Sequence, residues 1–154
     1  MRIEDDVKLD YCDVLIRPKR STLESRKDVN LHRTFQFKCG RIWTGVPIAA
    51  ANMDTTGTLE MSDVLDEYDM ITCLSKHIKP DECNDNFIAL SFGMTEQDIE
   101  TLGEGVGDVP FLCLDVANGY TEKFVDFVRW VRNIYPEKII IAGNVVTAEQ
   151  TESL

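Results

Sequence analysis

Five short apolar runs constrain this chain more than any other feature: Val46–Met53, Met70–Leu74, Phe87–Phe92, Phe111–Val116 and Ile139–Val146. Each has the length of one strand. Each is apolar nearly throughout, with little alternation, which is how strands read when helices cover both faces of a parallel sheet. Helical patterns lie between the runs. In Thr121–Tyr135, residues Phe124, Phe127, Val128, Val131 and Ile134 form one apolar stripe, with Thr121 placed to cap it and Pro136 to stop it. Thr58–Tyr68 carries a weaker stripe. Thr95 opens a shorter helix, and Thr147-x-x-Gln150 reads as a capping box heading a last one.

Strand and helix therefore alternate, with strand starts 17 to 28 residues apart. Such alternation predicts an α/β fold with a parallel sheet and helical crossovers. One crossover, Ser75–Asn86, is too short for a good helix and contains Pro80, so it is expected to be a loop or a single turn. The first 45 residues precede the repeat. They are expected to form an N-terminal arm (1–45) with a hairpin, Thr34–Lys38 against Arg41–Trp43, turned at Cys39-Gly40. Residues 46–154 carry the repeating units.

Charge narrows the function classes. Residues 1–43 hold ten Lys/Arg against seven Asp/Glu, whereas residues 44–154 hold six against twenty. An acidic body repels phosphates, which argues against nucleic-acid binding. The basic Arg17-Pro-Lys-Arg20 suits a solvated arm, a phosphate contact or a neighbouring acidic subunit. No apolar run approaches the roughly 18 residues of a membrane span, and Met1–Asp6 shows no signal-peptide core, so a cytoplasmic protein is expected. The five cysteines, Cys12, Cys39, Cys73, Cys83 and Cys113, are odd in number and contain no C-x-x-C pair, against a disulfide scaffold or a zinc site. Cys73 and Cys113 lie inside apolar runs and read as small buried hydrophobes.

In parallel α/β folds, function gathers at the C-terminal ends of the strands. Those ends are polar here: Asn52-Met53-Asp54-Thr55, Ser75-Lys76-His77, Ser91-Phe92-Gly93, Asp115 to Gly119, and Gly143-Asn144 to Thr147. Lys76 can meet an anionic group as a point charge. Asp115, after four apolar residues, must find donors, either backbone N–H groups or a ligand hydroxyl such as a ribose. His77 is more often structural than an acid–base group. Gly103-Glu-Gly105-Val-Gly107 precedes a strand and is expected to be a loop. There is no G-x-G-x-x-G, P-loop or zincin motif.

Several of these segments carry a resemblance. Asp13-Val-Leu-Ile-Arg-Pro-Lys-Arg-Ser21, Ala51-Asn-Met-Asp-Thr55, Lys76-His77, Leu114-Asp-Val-Ala-Asn-Gly-Tyr120 and Ala142-Gly-Asn-Val-Val-Thr147 together resemble the GMP reductases, within the IMP dehydrogenase/GMP reductase family. IMP dehydrogenases share the Met-Asp-Thr and Gly-Asn-Val-Val-Thr elements and are the alternative within the family. Asp115-Val-Ala-Asn-Gly and Ala51-Asn-Met favour the reductases. The resemblance runs from about residue 4 to the end.

The resemblance implies a (β/α)8 barrel that reduces GMP to IMP with NADPH and releases ammonia. A cysteine attacks the purine C2 and displaces ammonia, and the covalent intermediate then accepts a hydride. By match, Lys76, Asp115, Val116 and Ala117 resemble cofactor contacts. Ser25 and Arg26 resemble a cofactor contact made across a subunit boundary. Met53 resembles a residue against the purine, and Asn144 a polar residue near the reacting centre. The family's nucleophilic cysteine lies after the sixth strand, and its monovalent-cation site lies later still. This chain is expected to be a partial barrel of five β/α units that stops before both, with none of its cysteines in the catalytic position. The segment after Lys76 is shorter than the family's, which implies a lost helix, and Ser75 departs from a common His-Lys-His form. Expected partners are GMP and IMP as ligands, and another chain that completes the barrel or copies forming the family's tetramer. The competing expectation is a non-catalytic NADP(H)-binding remnant that associates with a full-length reductase.

Overall fold

The computed structural model describes residues 7, 9–79 and 86–154. Cys83, Pro80 and most of the short crossover after Lys79 lie outside the described residues. The chain divides between Asn30 and Leu31 into two compact units.

The first unit holds two single turns of 3₁₀ helix, Tyr11–Asp13 and Arg26–Asp28. Each is closed by a reciprocal cap. Asp10 accepts from Tyr11 N–H at 2.6 Å and donates its own N–H to Asp13 at 2.9 Å. Ser25 Oγ accepts from Lys27 N–H at 3.2 Å, and Ser25 N–H donates to Asp28 at 3.2 Å. Caps of this kind hold a local turn without any core. None of the unit's described residues is buried.

The second unit opens with an antiparallel hairpin, β1 (Arg33–Gln36) and β2 (Ile42–Gly45). Gly40 sits at φ 85°, the left-handed region that a side chain resists, and its N–H donates to Phe37 O at 2.9 Å. Then come β3 (Ala49–Ala50), α1 (Leu59–Asp66), β4 (Ile71–Cys73), β5 (Ile88–Phe92), α2 (Glu96–Glu104), β6 (Phe111–Asp115), α3 (Glu122–Ile134), β7 (Ile139–Gly143) and α4 (Ala148–Ser153). The sheet runs β3-β4-β5-β6-β7, every pair parallel, in sequence order. All five expected strands are present.

Side chains of the sheet alternate between two apolar layers. Leu90, Phe92, Leu112 and Leu114 face Leu102, Phe124, Phe127 and Val131 of α2 and α3. Ile71, Cys73, Ala89, Phe111, Cys113 and Ile139 face the other way, where Trp43 and Phe37 of the hairpin join them. Trp43 meets Phe111 at 5.9 Å and Phe87 at 6.1 Å, both edge-on. The continuous apolar runs of β4, β5 and β6 are explained: those strands are buried on both faces.

Four local readings are corrected. The first strand is short because Pro47 lacks an N–H and Ile48 N–H turns back to Val46 O at 2.7 Å, off the ladder. The last strand ends at Gly143, where Asn144 N–H bends over to Val116 O at 2.8 Å. Ile134 is 40% exposed, since α3 ends there and Tyr135 packs inward instead. Gly103 and Glu104 belong to α2, and the loop begins only at Gly105. Among the described residues no helix is long and apolar enough to cross a membrane.

Candidate functional site

Because all five strands are parallel, their C-terminal tips lie along one rim. Asp115, the last residue of β6, is its centre. One carboxylate oxygen accepts from Asn52 Nδ2 at 3.0 Å and the other faces Asn144 Nδ2 at 3.4 Å. Asn52 follows β3, three strands away, a separation of about 14 Å in a flat sheet. Contact at this distance requires the sheet to curl, so the five strands form a half-barrel with the helices outside. The donors that Asp115 finds are side-chain amides, neither the backbone N–H groups nor the ligand hydroxyl expected for it, and the residue remains exposed at the rim.

The tips of β6 and β7 are stitched together. Val116 N–H donates to Gly143 O and Asn144 N–H to Val116 O, both at 2.8 Å, while Asn144 Nδ2 also reaches Val116 O at 3.1 Å. Gly119 N–H donates to Asn144 O at 3.0 Å. Any Cβ at Gly119 would stand 2.6 Å from that oxygen, so only glycine permits the approach. Tyr120 closes the join: its phenol oxygen accepts from Val146 N–H at 2.8 Å and Thr147 N–H at 2.9 Å, and its hydroxyl donates to Thr147 Oγ1 at 3.3 Å. The Thr147 hydroxyl and then the Val146 N–H hold the Tyr120 pKa below the ordinary phenol range. Tyr120 also alters the expected capping box. Thr147 Oγ1 caps Gln150 N–H at 3.4 Å, but Gln150 reaches away to Gly119 O at 2.7 Å, because Tyr120 has already taken the Thr147 N–H. No role for Tyr120 follows from its sequence motif, although an aromatic hydroxyl just after Asn-Gly at a strand tip is an available signal.

A second cluster joins β3 and β4. Ser75 Oγ donates to Asp54 Oδ1 at 2.9 Å, and His77 Nε2 lies 3.9 Å from the same oxygen. Ser75 is buried, and its N–H donates to Gly57 O at 2.8 Å. Gly57 admits no side chain, since a Cβ would sit 2.3 Å from Cys73 O. This braced segment presents Lys76 to solvent at the rim. Lys76 and His77 also line, with Phe92 and residues of α2, a broad cleft of about 930 Å³. Met53 is exposed on the same rim. Asn52, Met53, Lys76, Asp115 and Asn144 thus belong to one end of the sheet. Ser25 and Arg26 belong to the first unit, where Ser25 caps the turn that Arg26 begins.

Two thiols lie beneath Asp115. Cys73 and Cys113 face the inner layer on either side of β5, Cys73 opposite Ala89 and Cys113 opposite Ser91. Burial alone would push both up. Their mutual contact divides them: Cys73, as donor, is pushed up, and Cys113, as acceptor, is held below the ordinary thiol range. Strands separated by a third strand stand too far apart for a disulfide without backbone movement. Among the described residues no group of three or more His, Cys, Asp or Glu is placed to hold a metal ion.

Fold and rim together define the class: a parallel (β/α) barrel segment with its polar side chains gathered at the strand tips. Residues 81–154 match the IMP dehydrogenase / GMP reductase domain. The whole chain is 49% identical to a GMP reductase of Enterobacter sp. (strain 638) and 99% of it is 48% identical to GMP reductase 1 of Homo sapiens, in each case covering 48% of the relative. Over 92% of its length it superposes on 46% of the inosine 5′-monophosphate dehydrogenase of Legionella pneumophila, with a TM-score of 0.75 and 24% identity, a likeness of fold alone. The chain is thus similar throughout to GMP reductases of the IMP dehydrogenase/GMP reductase family, in a way consistent with an N-terminal portion of them. It spans about half the length of the curated relatives it matches.

Proposed function

We propose that this chain is the cofactor-side portion of a GMP reductase, serving the NADPH-dependent reductive deamination of GMP to IMP in purine metabolism in the cytoplasm. The observation that carries this reading is Asp115, an exposed carboxylate oriented by Asn52 and Asn144 on a rim that also bears Lys76, in a chain nearly half identical to GMP reductases throughout. The donor set suits a dinucleotide. A carboxylate accepts from ribose hydroxyls, and an exposed ammonium meets a phosphate. Bound there, the nicotinamide cofactor would supply the reducing equivalent. Asp115 would orient it, with Val116 and Ala117 lining the site beside it. Lys76 would offset phosphate charge. Met53 would lie against the purine, and Asn144, fixed by the stitching of β6 to β7, would hold a polar contact near the reacting centre. Ser25 and Arg26 would add a cofactor contact from a neighbouring subunit.

On this reading, residues 46–154 supply the first five β/α units, residues 1–45 the arm, and a nucleophilic cysteine comes from outside these units. β3 and β7 each have one strand neighbour among the described residues. A segment supplying three more strands would pair with both free edges and close the barrel. The test is to mix the purified chain with such a segment and follow NADPH absorbance. GMP-dependent oxidation is expected, with no turnover by either part alone. A folded, stoichiometric complex without GMP-dependent turnover overturns the reading in favour of a non-catalytic module. Oxidation of IMP with NAD would move the chain to the dehydrogenase branch.

A further inference from the structure

Cys73 and Cys113 stand two strands apart, yet the fold brings them to one place. A straight line across the sheet from Cys73 passes through Ala89 to Phe111, two residues short of Cys113. In a curled parallel sheet the strands tilt, and one inner layer takes its side chains from alternate strands with such an offset. Both residues are free thiols turned to the inner layer, 7% and 9% exposed, and their sulfurs interact directly. Ser91 lies on β5 between them, opposite Cys113 and two residues beyond Ala89, so it shares their face. It is 5% exposed. Its hydroxyl is close enough to influence the Cys113 sulfur but forms no hydrogen bond of good geometry among the described residues. A buried hydroxyl left unpaired costs stability, and here it stands beside two sulfurs. The Asp115 carboxylate, two residues beyond Cys113 on the same strand, opposes a thiolate at either cysteine. A cation between the sulfurs reverses that penalty.

We infer that Cys73 and Cys113 form a two-sulfur site for a soft monovalent metal ion of the cuprous type, with Ser91 as its hydroxyl partner. The donors select the ion. Thiolates favour soft metals. A structural zinc ion takes four ligands, and two sulfurs with one hydroxyl fall short of that, whereas two sulfurs satisfy a cuprous ion. An ion also spans a gap that a disulfide cannot. Two metal–sulfur bonds of about 2.3 Å reach roughly twice as far as one S–S bond of about 2.05 Å. Binding forms two metal–sulfur bonds, releases the thiol protons to solvent and changes no oxidation state. Ser91 then donates its hydroxyl proton to a coordinated sulfur. The inference does not depend on which reaction the chain serves.

Anaerobic competition for Cu(I) between the whole chain and a chromogenic chelator tests it. The triple variant Cys12→Ala/Cys39→Ala/Cys83→Ala keeps only Cys73 and Cys113. Like wild type, it should withdraw one equivalent of Cu(I), and its urea midpoint should rise when Cu(I) is added, because the ion binds the folded arrangement. Cys73→Ala or Cys113→Ala, made in wild type, should weaken uptake by more than about a hundredfold, beyond what the loss of a supporting partner costs. Ser91→Ala should weaken it about 10- to 100-fold. The same variant should leave the metal-free urea midpoint unchanged or higher, since the hydroxyl it removes is unpaired. Absence of uptake by the triple variant overturns the inference. So does uptake that leaves or lowers its urea midpoint, uptake undiminished in Cys73→Ala, or Zn(II) held as tightly as Cu(I).

Discussion

Asp115 has two Asn side chains turned toward its two oxygens, and that geometry sets what substitution there should do. Asp115→Asn leaves a single acceptor oxygen and turns an NH2 toward one of the two amides. Hydrogen bonds to a charged partner are worth about 1.5–3 kcal/mol, so NADPH affinity should fall about 10- to 100-fold by calorimetric titration. The residue is exposed, and urea unfolding should shift by no more than about 0.5 kcal/mol. An unchanged affinity removes Asp115 from the cofactor site. Lys138 makes a different prediction. It is 5% exposed, and its Nζ donates to Gly107 O at 2.8 Å. Burial first, then Arg41, pushes its pKa down from the ordinary lysine value. Between the lowered folded pKa and the ordinary unfolded one, the unfolded chain binds more protons. Lys138 therefore adds to stability as pH rises through that alkaline window, and the penalty for its charge is fully present below it. Measured as the difference between wild type and Lys138→Met, urea stability should move in favour of wild type on going from neutral to alkaline pH. A flat or opposite difference would show that the Gly107 contact offsets the burial.

At the scale of elements, the hairpin and the sheet meet through Trp43. Its ring stacks on Phe35 at 6.0 Å and meets Phe87 and Phe111 edge-on, but its buried Nε1 has no hydrogen-bond partner among the described residues. Trp43→Ala should cost about 3–5 kcal/mol in urea unfolding. Trp43→Phe loses volume but also removes an unsatisfied donor, itself worth about 1–3 kcal/mol, so its cost should be much smaller. Equal costs would mean that the indole N–H is satisfied after all. This contact also shows what the sequence made legible. The strands and α3 were readable because their apolar residues follow a local period, and the polar strand tips were readable because parallel strands share one end. The hairpin was readable from Cys39-Gly40, but its aromatic seat on β6 was not, since nothing local links Trp43 to Phe111. The late start of β3 could be read from Pro47. Tyr120's reach to Val146 and Thr147 could not, because it depends on two loops separated by a helix, and the Asn52–Asp115 contact depends on the curl of the whole sheet.

At the scale of the molecule, the sheet stops at β7 with one edge uncovered by any described strand, and the ladder says which groups are left over. Ile139 N–H donates to Pro110 O at 2.9 Å, and Gly143 O accepts from Val116 at 2.8 Å. In a parallel strand the N–H and C=O of one residue point to the same side, and successive residues alternate. Ile139, Ile141 and Gly143 therefore face β6, whereas Ile140 and Ala142 turn their backbone groups to the open edge. Such an edge is a template for another strand. In the chain alone, the amides of Ile140 and Ala142 should exchange with solvent deuterium far faster than those of Ile139 and Ile141, which lie in the same strand at similar depth. Adding a segment that supplies the neighbouring strand should protect Ile140 and Ala142 and leave the other two nearly unchanged. Protection confined to alternate residues would not arise from a general stiffening of the fold, which would slow all four. If Ile140 and Ala142 are already protected in the chain alone, the edge has an occupant, and a barrel-closing strand has nowhere to pair.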